Sequence, residues 1–501
     1  MKKTHATLFS IFILFSFGAC VATKPKQSGD GKIHVTILHF NDVYEITPVS
    51  GGAEGGLARV ATLRKKLLAE NPNTITTLGG DLFSPSAIGT APYQGDQLAG
   101  MQMVDVLNQL QLDYATFGNH EFDLKEEQFY KRMDEAKFTW IASNVFDANG
   151  KPYTGVKKNL IIPFKDEKSG KTFRLGIFGL TLEVNKPTYV SYTDPKITAG
   201  EQLKQLQDNS DFQIALTHQS LSDDEILLQT YPQIDLLLGG HEHINYQRWR
   251  GNFTPLLKGD ANVRSVYIVD LYFDPATGET KIKPTFMPID DSLTEDPIVK
   301  TAADKWVKIA FDAFRTEGLN PEESVTTTTE SLDGLEASVR NGQTNLTRLL
   351  AKALLLPHPT AELSLYNSGA IRIDDTLPAG KITVYDVIRV LPFSDHIQLA
   401  EFTGVLLKKV LDQGVASINT GGYLQSANSE YKDGKWFING SPIDESKRYK
   451  VAINSFLTSG RESHLRYLTP DNPGLTILNQ GTEFDIRKQL IRLFKNQSVQ
   501  H

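Results

Sequence analysis

Five short apolar runs in the first half of the chain are each followed closely by side chains of a kind that bind metal ions. The runs are residues 33–40, 74–78, 114–117, 212–217 and 234–238, and the side chains are those of Asp42, Asp81, Asn119 with His120, His218, and His241 with His243. Their alternating or continuous apolar character predicts β-strands. Because the carboxyl ends of parallel strands meet at one edge of an α/β sheet, the pattern predicts a site at that edge. Each of these side chains alone would more often be a cap or a hydrogen-bonded core group.

The third run leads into the sequence Gly118-Asn119-His120-Glu121-Phe122-Asp123. A glycine permits a sharp turn where the strand ends. Such a corner offers an oxygen ligand from Asn119, a proton donor in His120, and in Asp123 a carboxylate that orients this donor. The alternative is a polar turn between strand and helix, with Asn or Asp as a cap.

The ligand set indicates which metal ions to expect. Mixed Asp, Asn and His ligands suit divalent Mn, Zn, Fe or Co, and the single cysteine excludes a thiolate-bound structural zinc. Asp81 follows two glycines, which makes it the natural carboxylate to bridge two ions. Two ions roughly 3.5–4 Å apart activate a water and bind the oxygens of a phosphoryl group. The sequence therefore predicts two divalent metal ions as cofactors.

The same residues resemble the motifs of the calcineurin-like metallophosphatases. The matching segments are Asp42, Gly80-Asp81, Gly118-Asn119-His120-Glu121, Thr217-His218 and Gly240-His241-Glu242-His243. The resemblance implies one metal ion bound by Asp42, Asp81 and His243, and a second bound by Asp81, Asn119, His218 and His241. It also implies that His120 is the catalytic histidine, which stabilises or protonates the departing ester oxygen, and that Asp123 is its partner.

One position departs from this pattern. The first motif of the family normally reads Asp-x-His, whereas Tyr44 stands at the histidine position here. A neutral phenol is a poorer ligand than an imidazole, so that metal ion would be bound more weakly, or water would fill the gap. An alternative of another class follows, namely a nucleotide-binding surface lipoprotein with a decayed metal site. The complete set of other ligands favours an enzyme.

The second half carries arginines and phenylalanines that, taken singly, would be surface ion pairs and core packing. Together they resemble the C-terminal domain of the 5'-nucleotidase family. The resemblance implies that Arg340, Asn367 and Arg372 bind the polar groups of a nucleotide and that Phe393 and Phe456 stack on its base. Gly460-Arg461-Glu462 replaces the usual Gly-Gly-Asp, and Ser394-Asp395 follows Pro392-Phe393 in place of the usual Gly-Asn. Glu462 is thus expected at the ribose, with the preferred substrate open between nucleoside 5'-monophosphates, UDP-sugars and 2',3'-cyclic nucleotides.

The expected fold class is α/β (α+β), with a four-layer α-β-β-α metallophosphatase sandwich, a linker helix and an α/β substrate-binding domain. The expected bounds are 1–20 for a signal peptide, 21–31 for a tether, 32–290 for the first domain, 291–323 for the linker and 324–498 for the second domain. We expect the linker helix to present Ile298, Ala302, Trp306, Ile309 and Ala313 on one face. Because the two predicted sites lie on different domains, a rotation about the linker is expected to bring them together.

The N-terminus has the pattern of an export signal. Lys2 and Lys3 precede an apolar run that is too short to span a bilayer, and small residues precede Cys20. This resembles a bacterial lipoprotein signal, which implies an acylated Cys20 and a periplasmic or cell-surface protein; the alternative is an ordinary secretory signal. A net charge of -7 gives no indication of nucleic-acid binding, and the sequence does not determine the oligomeric state.

Overall fold

Strands and helices alternate from residue 33 to residue 288 in the computed structural model, which describes residues 31–498. The strands are β1 (Ile33–Phe40), β2 (Thr74–Leu78), β3 (Pro92–Tyr93), β4 (Asp96–Gln97), β5 (Tyr114–Ala115), β6 (Thr139–Trp140), β7 (Val145–Asp147), β8 (Asn159–Lys165), β9 (Thr172–Thr181), β10 (Val190–Tyr192), β11 (Phe212–His218), β12 (Leu236–Gly239), β13 (Tyr246–Arg250), β14 (Thr254–Lys258), β15 (Ser265–Phe273) and β16 (Thr280–Pro288). The helices are α1 (Leu57–Glu70), α2 (Met101–Leu110), α3 (Glu126–Glu135), α4 (Pro195–Leu206) and α5 (Leu221–Thr230).

Two six-stranded sheets form the middle of this domain. Their strand orders are β16-β15-β1-β2-β5-β6 and β13-β14-β12-β11-β9-β8. Strands β1, β2, β5 and β6 are parallel in the first sheet, and β9, β11, β12 and β14 are parallel in the second. Strands β15 and β16 of the first sheet, and β8 and β13 of the second, pair antiparallel with their neighbours, whereas the edge strand β6 is parallel to β5. The parallel strands β1, β2 and β5 of the first sheet, and β9, β11, β12 and β14 of the second, are therefore internal, and their carboxyl ends are free to carry a site.

The core consists of apolar side chains between the sheets and beneath the helices. Val35, Ile37, Leu175 and Ile214 belong to the inner cluster between the two sheets. Helices α1, α2 and α3 bury their apolar faces against the outer side of the first sheet. Helices α4 and α5 bury theirs against the outer side of the second sheet. The predicted four-layer α-β-β-α arrangement is confirmed.

Helix α6 (Pro297–Thr316) follows the sandwich. Asp296 caps it by accepting hydrogen bonds from the backbone N–H groups of residues 298 and 299, and Pro297 suits the first turn. Its buried residues are Val299, Ala303, Trp306, Ala310 and Phe314. Trp306 was predicted correctly, but each of the other four predicted residues precedes a buried one by one position. Ile298 is exposed, and Ala302, Ile309 and Ala313 are only partly buried at the margin of the contact. The helix packs against α1 and α2 of the first domain.

The C-terminal region forms a second, smaller sheet with its own helices. The strands are β17 (Ser324–Thr328), β18 (Leu332–Asp333), β19 (Leu363–Asn367), β20 (Thr376–Leu377), β21 (Gly380–Thr383), β22 (Ile397–Thr403), β23 (Leu424–Ala427), β24 (Ser429–Lys432), β25 (Lys435–Ile438), β26 (Ser441–Pro442), β27 (Arg448–Asn454) and β28 (Leu475–Asn479). The helices are α7 (Glu336–Val339), α8 (Asn345–Leu355), α9 (Val384–Val390), α10 (Gly404–Ala416), α11 (Ser455–Thr458) and α12 (Ile486–Ser498). The central order is β23-β19-β27-β22-β28.

The features predicted for export fall outside the part of the chain that the structure describes. These are the predicted signal over residues 1–20, its Cys20, and the tether up to residue 30. Among residues 31–498, none of the helices has both the length and the apolar character needed to cross a bilayer.

Candidate active site

The five predicted runs lie in β1, β2, β5, β11 and β12, at the carboxyl edges of both sheets. Asp42 follows β1, Asp81 follows β2, and Asn119 follows β5. From the second sheet, His218 ends β11, and His241 and His243 follow β12. The site thus forms where the two sheets face each other.

Four of the predicted ligands have a left-handed backbone, which residues other than glycine rarely adopt. The φ angles are 51° at Asp42, 58° at Asp81, 90° at His241 and 61° at His243. Such conformations cost of order 1–3 kcal/mol each and persist where the surrounding structure fixes them, often at functional sites. Their coincidence at one edge supports a functional role for this cluster.

Gly118 has to be a glycine for the loops to come this close. A Cβ atom at this position would lie 2.1 Å from Asp81 Oδ1, well inside contact distance. The missing side chain lets the loop after β5 pack directly on the loop after β2. The backbone of Asn119 and His120 consequently lies next to Asp81.

Asp42, Asp81 and His218 form the centre of the cluster. Their ligand atoms lie within 4.8 Å of one another, and all three residues are buried. His218 Nε2 is 3.2 Å from Asp81 Oδ2 and 3.9 Å from Asp42 Oδ1. His243 Nε2 is 3.5 Å from the same Asp42 oxygen, and the His241 ring centre is 5.3 Å from that of His218.

Two buried polar atoms of the cluster test whether the residues fit a metal ion. His218 donates from Nδ1 to the carbonyl oxygen of Gly79 at 2.7 Å, which leaves Nε2 as the ring atom available to a ligand. Neither His218 Nε2 nor Asn119 Oδ1 has a hydrogen-bond partner among the described residues. Buried polar atoms normally have one. A divalent cation would satisfy both, so the residues fit the predicted cofactor.

The electrostatics of the cluster also favour a cation. Burial alone would raise the pKa of Asp81, but His218 and His120 outweigh it and hold the pKa below its ordinary range. Burial would lower the pKa of His218, yet Asp81 and Asp42 raise it to about 9. Burial and the neighbouring His218 lower the pKa of His241 to about 3, so this imidazole is neutral, as a metal ligand must be. The carboxylates therefore favour positive charge between them.

Tyr44 extends into the same cluster. Its hydroxyl oxygen lies 2.8 Å from His243 Nε2, 3.1 Å from Asp81 Oδ2 and 3.3 Å from Asp42 Oδ1, so its one proton is within reach of both carboxylates. Burial, followed by the charges of Asp81 and Asp42, raises the pKa of Tyr44 well above its ordinary value. A neutral phenol thus occupies the position where the family's histidine is expected.

His120 and Asp123 form a pair beside the metal cluster. His120 Nδ1 donates to Asp123 Oδ2 at 2.6 Å, and the His120 backbone N–H donates to Asp81 Oδ1 at 2.8 Å. The Asp123 carboxylate also accepts from Asn185 Nδ2 at 2.6 Å and from Ser84 Oγ at 3.1 Å. Because Nδ1 is used in this pair, Nε2 is the ring atom left for a substrate.

The sequence interpretation assigned no role to Glu121, which positions the loops. This fully buried carboxylate accepts hydrogen bonds from the backbone N–H groups of Asp81, Leu82, Phe83 and Gly118. Burial raises its pKa to about 7 against the effect of these donors. The one feature of the sequence that could have indicated this role is the place of Glu121 within the motif Gly118-Asn119-His120-Glu121.

All six predicted substrate-binding residues line the cavity that also contains Asp81, Asn119, His120, His241 and His243. They are Arg340, Asn367, Arg372, Phe393, Phe456 and Glu462, and the cavity volume is about 990 Å³. The two predicted sites therefore already meet in this arrangement of the domains. Their individual roles stay predictions.

Each of the two phenylalanines predicted to stack on the base has a guanidinium over its ring. The Arg372 Cζ atom lies 5.7 Å from the ring centre of Phe393, and the Arg461 Cζ atom lies 5.3 Å from that of Phe456. Arg340 pairs with Glu336 at 2.5 Å, whereas Arg372 and Arg461 make no ion pair with the described residues. Two cations in the cavity are thus without a carboxylate partner from residues 31–498.

Comparison with known proteins decides the family. A model of the calcineurin-like phosphoesterases matches residues 35–245, and a model of the 5'-nucleotidase C-terminal domain matches residues 324–467. The chain belongs to the 5'-nucleotidase family. Its class is that of a metal-dependent phosphoester hydrolase, as the motifs predicted.

Individual members of the family resemble the chain over most of its length. A 5'-nucleotidase of Vibrio cholerae is 26% identical over 93% of this chain and 92% of its own. A trifunctional nucleotide phosphoesterase of Bacillus subtilis is 25% identical over 88% of this chain, which spans 33% of that relative. The crystal structure of a 5'-nucleotidase precursor from Thermus thermophilus covers 93% of this chain and 97% of its own, with a TM-score of 0.76 and 21% identity. This last likeness shows the shared fold.

Proposed function

We propose that this protein hydrolyses nucleoside 5'-monophosphates to a nucleoside and phosphate, with two divalent metal ions. The observation that carries the proposal is the shared cavity, which places the His120 and Asp123 pair and the metal cluster opposite the arginines and phenylalanines of the second domain. A site for a phosphate ester and a site for an aromatic base therefore face the same space.

The metal cluster supports the chemical step. Bound divalent ions would lower the pKa of a water and offset the charge of the phosphoryl oxygens. Mn, Zn, Co or Fe suits ligands of the types found in Asp42, Asn119 and His218. His120, oriented by Asp123, is placed to protonate the departing ester oxygen from Nε2. Burial would lower the pKa of His120, but the charges of Asp123 and Asp81 raise it, which favours the imidazolium with one proton held on Nδ1 by Asp123 and a second on Nε2 to donate.

The second domain supports recognition. Guanidinium groups bind phosphate oxygens in pairs of parallel hydrogen bonds, and Arg372 has no carboxylate partner among the described residues. Phe393 is 42% exposed although it is a large apolar side chain, and it lines the cavity. A planar base stacked on this ring would gain free energy from the contact.

A second candidate substrate class is favoured by Arg461. This exposed cation lies over Phe456 in the same cavity, at a position where the family usually has glycine. A cavity of about 990 Å³ is at the upper end of the size of small-molecule sites. A nucleoside diphosphate sugar, with its second phosphate, would use this space and this charge, and a cyclic nucleotide is the smaller alternative.

We also propose that the protein acts outside the cytoplasm with a lipid on Cys20. The support is the basic and apolar sequence over residues 1–20. Metabolic labelling with a radioactive fatty acid should mark the wild-type protein and not Cys20→Ser. If neither protein is labelled, the lipid proposal fails and the alternative of an ordinary secretory signal is favoured.

The decisive experiment is phosphate release by purified protein that has been stripped of metal and reloaded with Mn or Zn. The substrates are AMP, a nucleotide sugar and a cyclic nucleotide, each compared with His120→Ala. Metal-dependent release that falls by about 10²–10⁴ in the variant would support the proposal. Arg461→Gly should change the order of the substrates if Arg461 determines preference. No release of phosphate by a folded, metal-loaded protein would instead favour the ligand-binding alternative.

A further inference from the structure

A loop of the second domain contacts a predicted metal ligand of the first. Asp374 lies between β19 and β20, and its Oδ2 atom accepts from His243 Nδ1 at 2.9 Å. The side chains are 11% and 12% exposed. The contact joins residues 131 positions apart in the chain. It is therefore a property of how the two domains are placed against each other.

The Asp374 carboxylate is held on both sides. Its Oδ1 atom accepts from the Glu336 backbone N–H at 2.8 Å, and its carbonyl oxygen accepts from Arg264. Its backbone has a φ of 38°, in the left-handed region, and such a conformation persists only where the surroundings fix it. The orientation of this carboxylate toward His243 is thus set by several independent contacts.

The next residue ties the same loop to the first domain. Asp375 accepts from Ser50 N–H and Oγ at 2.9 Å and pairs with Arg264 at 3.4 Å. Arg389 lies 3.0 Å from Asp375 and 3.5 Å from Glu45 of the first domain. Asp375 and Arg389 are buried, so these ion pairs are screened little by solvent. These contacts consequently hold the loop with Asp374 and Asp375 against the first domain.

A carboxylate on the second nitrogen of a metal-binding histidine has a known physical effect. It fixes the tautomer, orients the ring and makes the coordinating nitrogen more basic. With Nδ1–H directed to Asp374, the His243 Nε2 atom is the one that faces Asp42 at 3.5 Å. The arrangement suits coordination through Nε2.

We propose that Asp374 is a positioning residue that completes the metal site at His243 from the other domain. The inference rests on the proposed metal binding by His243. It follows that the ion beside Asp42 and His243 is held more weakly when the domains separate. By reciprocity, binding of that ion stabilises the docked arrangement. The same contacts continue through Glu336 to Arg340, which lines the substrate cavity.

The test is metal affinity, measured by competition with a chelator and by metal analysis of the folded protein. Asp374→Asn is the principal variant. Both partners of Asp374 are N–H donors, and an amide has only one oxygen to accept from them. We expect one of the two ions to bind about 10–100-fold more weakly while the other keeps its affinity. Asp374→Glu, which retains the carboxylate, should restore part of the loss.

Glu54→Gln is the matched control. Glu54 is a carboxylate at the same domain border, 3.7 Å from Arg264, and within residues 31–498 its hydrogen bonds and ion pairs do not include His243. Unchanged affinity for both ions in Asp374→Asn would overturn the inference, as would an equal loss of both ions with a lowered midpoint of unfolding. If the wild-type protein binds no second ion, the proposed dimetal function itself fails, and the inference fails with it.

Discussion

The hydroxyl of Tyr44 lies 2.8–3.3 Å from atoms of three predicted metal ligands, Asp42, Asp81 and His243. At the scale of single residues, this is the place where the site departs most from its family. The ring of Tyr44 is buried, and its phenol keeps its proton because the adjacent carboxylates oppose a further negative charge. A protonated phenol binds a divalent ion less well than a neutral imidazole does.

Tyr44→His should therefore strengthen binding of the ion between Asp42 and His243. We expect a gain of at least about tenfold in affinity, measured by competition with a chelator, because imidazole nitrogen is a standard ligand of Zn and Fe. Tyr44→Phe is the control, since it removes the hydroxyl and adds no ligand. Equal metal affinity in Tyr44→His and the wild type would show that this position does not contact the ion.

At the scale of elements, the strands of the site were predictable because their signals are local. The observed bounds of β1 and β2 are the predicted ones, since an apolar pattern and a turn mark both ends. The stripe on α6 was misplaced because apolar residues flank the buried ones on both sides. The contact of Asp374 with His243 could not be predicted, because no periodicity relates residues 131 positions apart.

A buried ion pair supports the elements behind the histidines. Lys258 on β14 lies 3.0 Å from Asp224 on α5 and donates to the carbonyl oxygen of Gln219, the residue after His218. Both side chains of the pair are fully buried. Lys258→Met should lower the free energy of unfolding by about 3–5 kcal/mol, because it leaves an uncompensated carboxylate.

Urea denaturation is the measurement for this pair. The midpoint should fall with an unchanged slope, and Lys258→Met with Asp224→Asn should recover part of the loss, since the amide carries no charge. A single Lys258→Met variant as stable as the wild type would contradict the assigned role.

The turn before β12 should give a defined dependence of stability on pH. Burial raises the pKa of Asp235 to about 6, although its carboxylate accepts from the Gln213 N–H at 2.8 Å. The folded state then holds this proton more tightly than the unfolded state, whose Asp pKa is about 4. The contribution of this group to the free energy of unfolding is therefore complete below about pH 4, and it is lost as the pH rises through about 6.

Asp235→Asn removes this titration while the amide oxygen still accepts from Gln213. The difference in melting temperature, variant minus wild type, should increase between pH 4 and pH 7 and should stay constant above pH 7. Thermal melts in matched buffers provide the comparison, and parallel curves for the two proteins would contradict the prediction.

At the scale of the whole molecule, the sequence indicated two sites on two domains and a rotation to unite them. The structure places both on one cavity, with the border fixed by the buried cluster of Glu45, Asp375 and Arg389. The carboxylates and arginines at this border had no signal in the sequence, because their roles depend on partners from distant segments. A rotation, if the domains make one, would then serve entry of the substrate and release of the products.

This role for rotation predicts that a bond across the border slows turnover. A Cβ atom at Gly51 would lie 3.1 Å from the Pro378 Cγ atom of the second domain, so cysteines at these two positions would face each other across the border. In a Cys20→Ser background, Gly51→Cys with Pro378→Cys should turn over at least about tenfold more slowly when oxidised, and a reductant should restore the rate. Each single cysteine variant controls for the side chain itself, including the strain of a φ of 69° at residue 51. Undiminished turnover by the oxidised double variant would mean that the docked arrangement serves every step of the cycle.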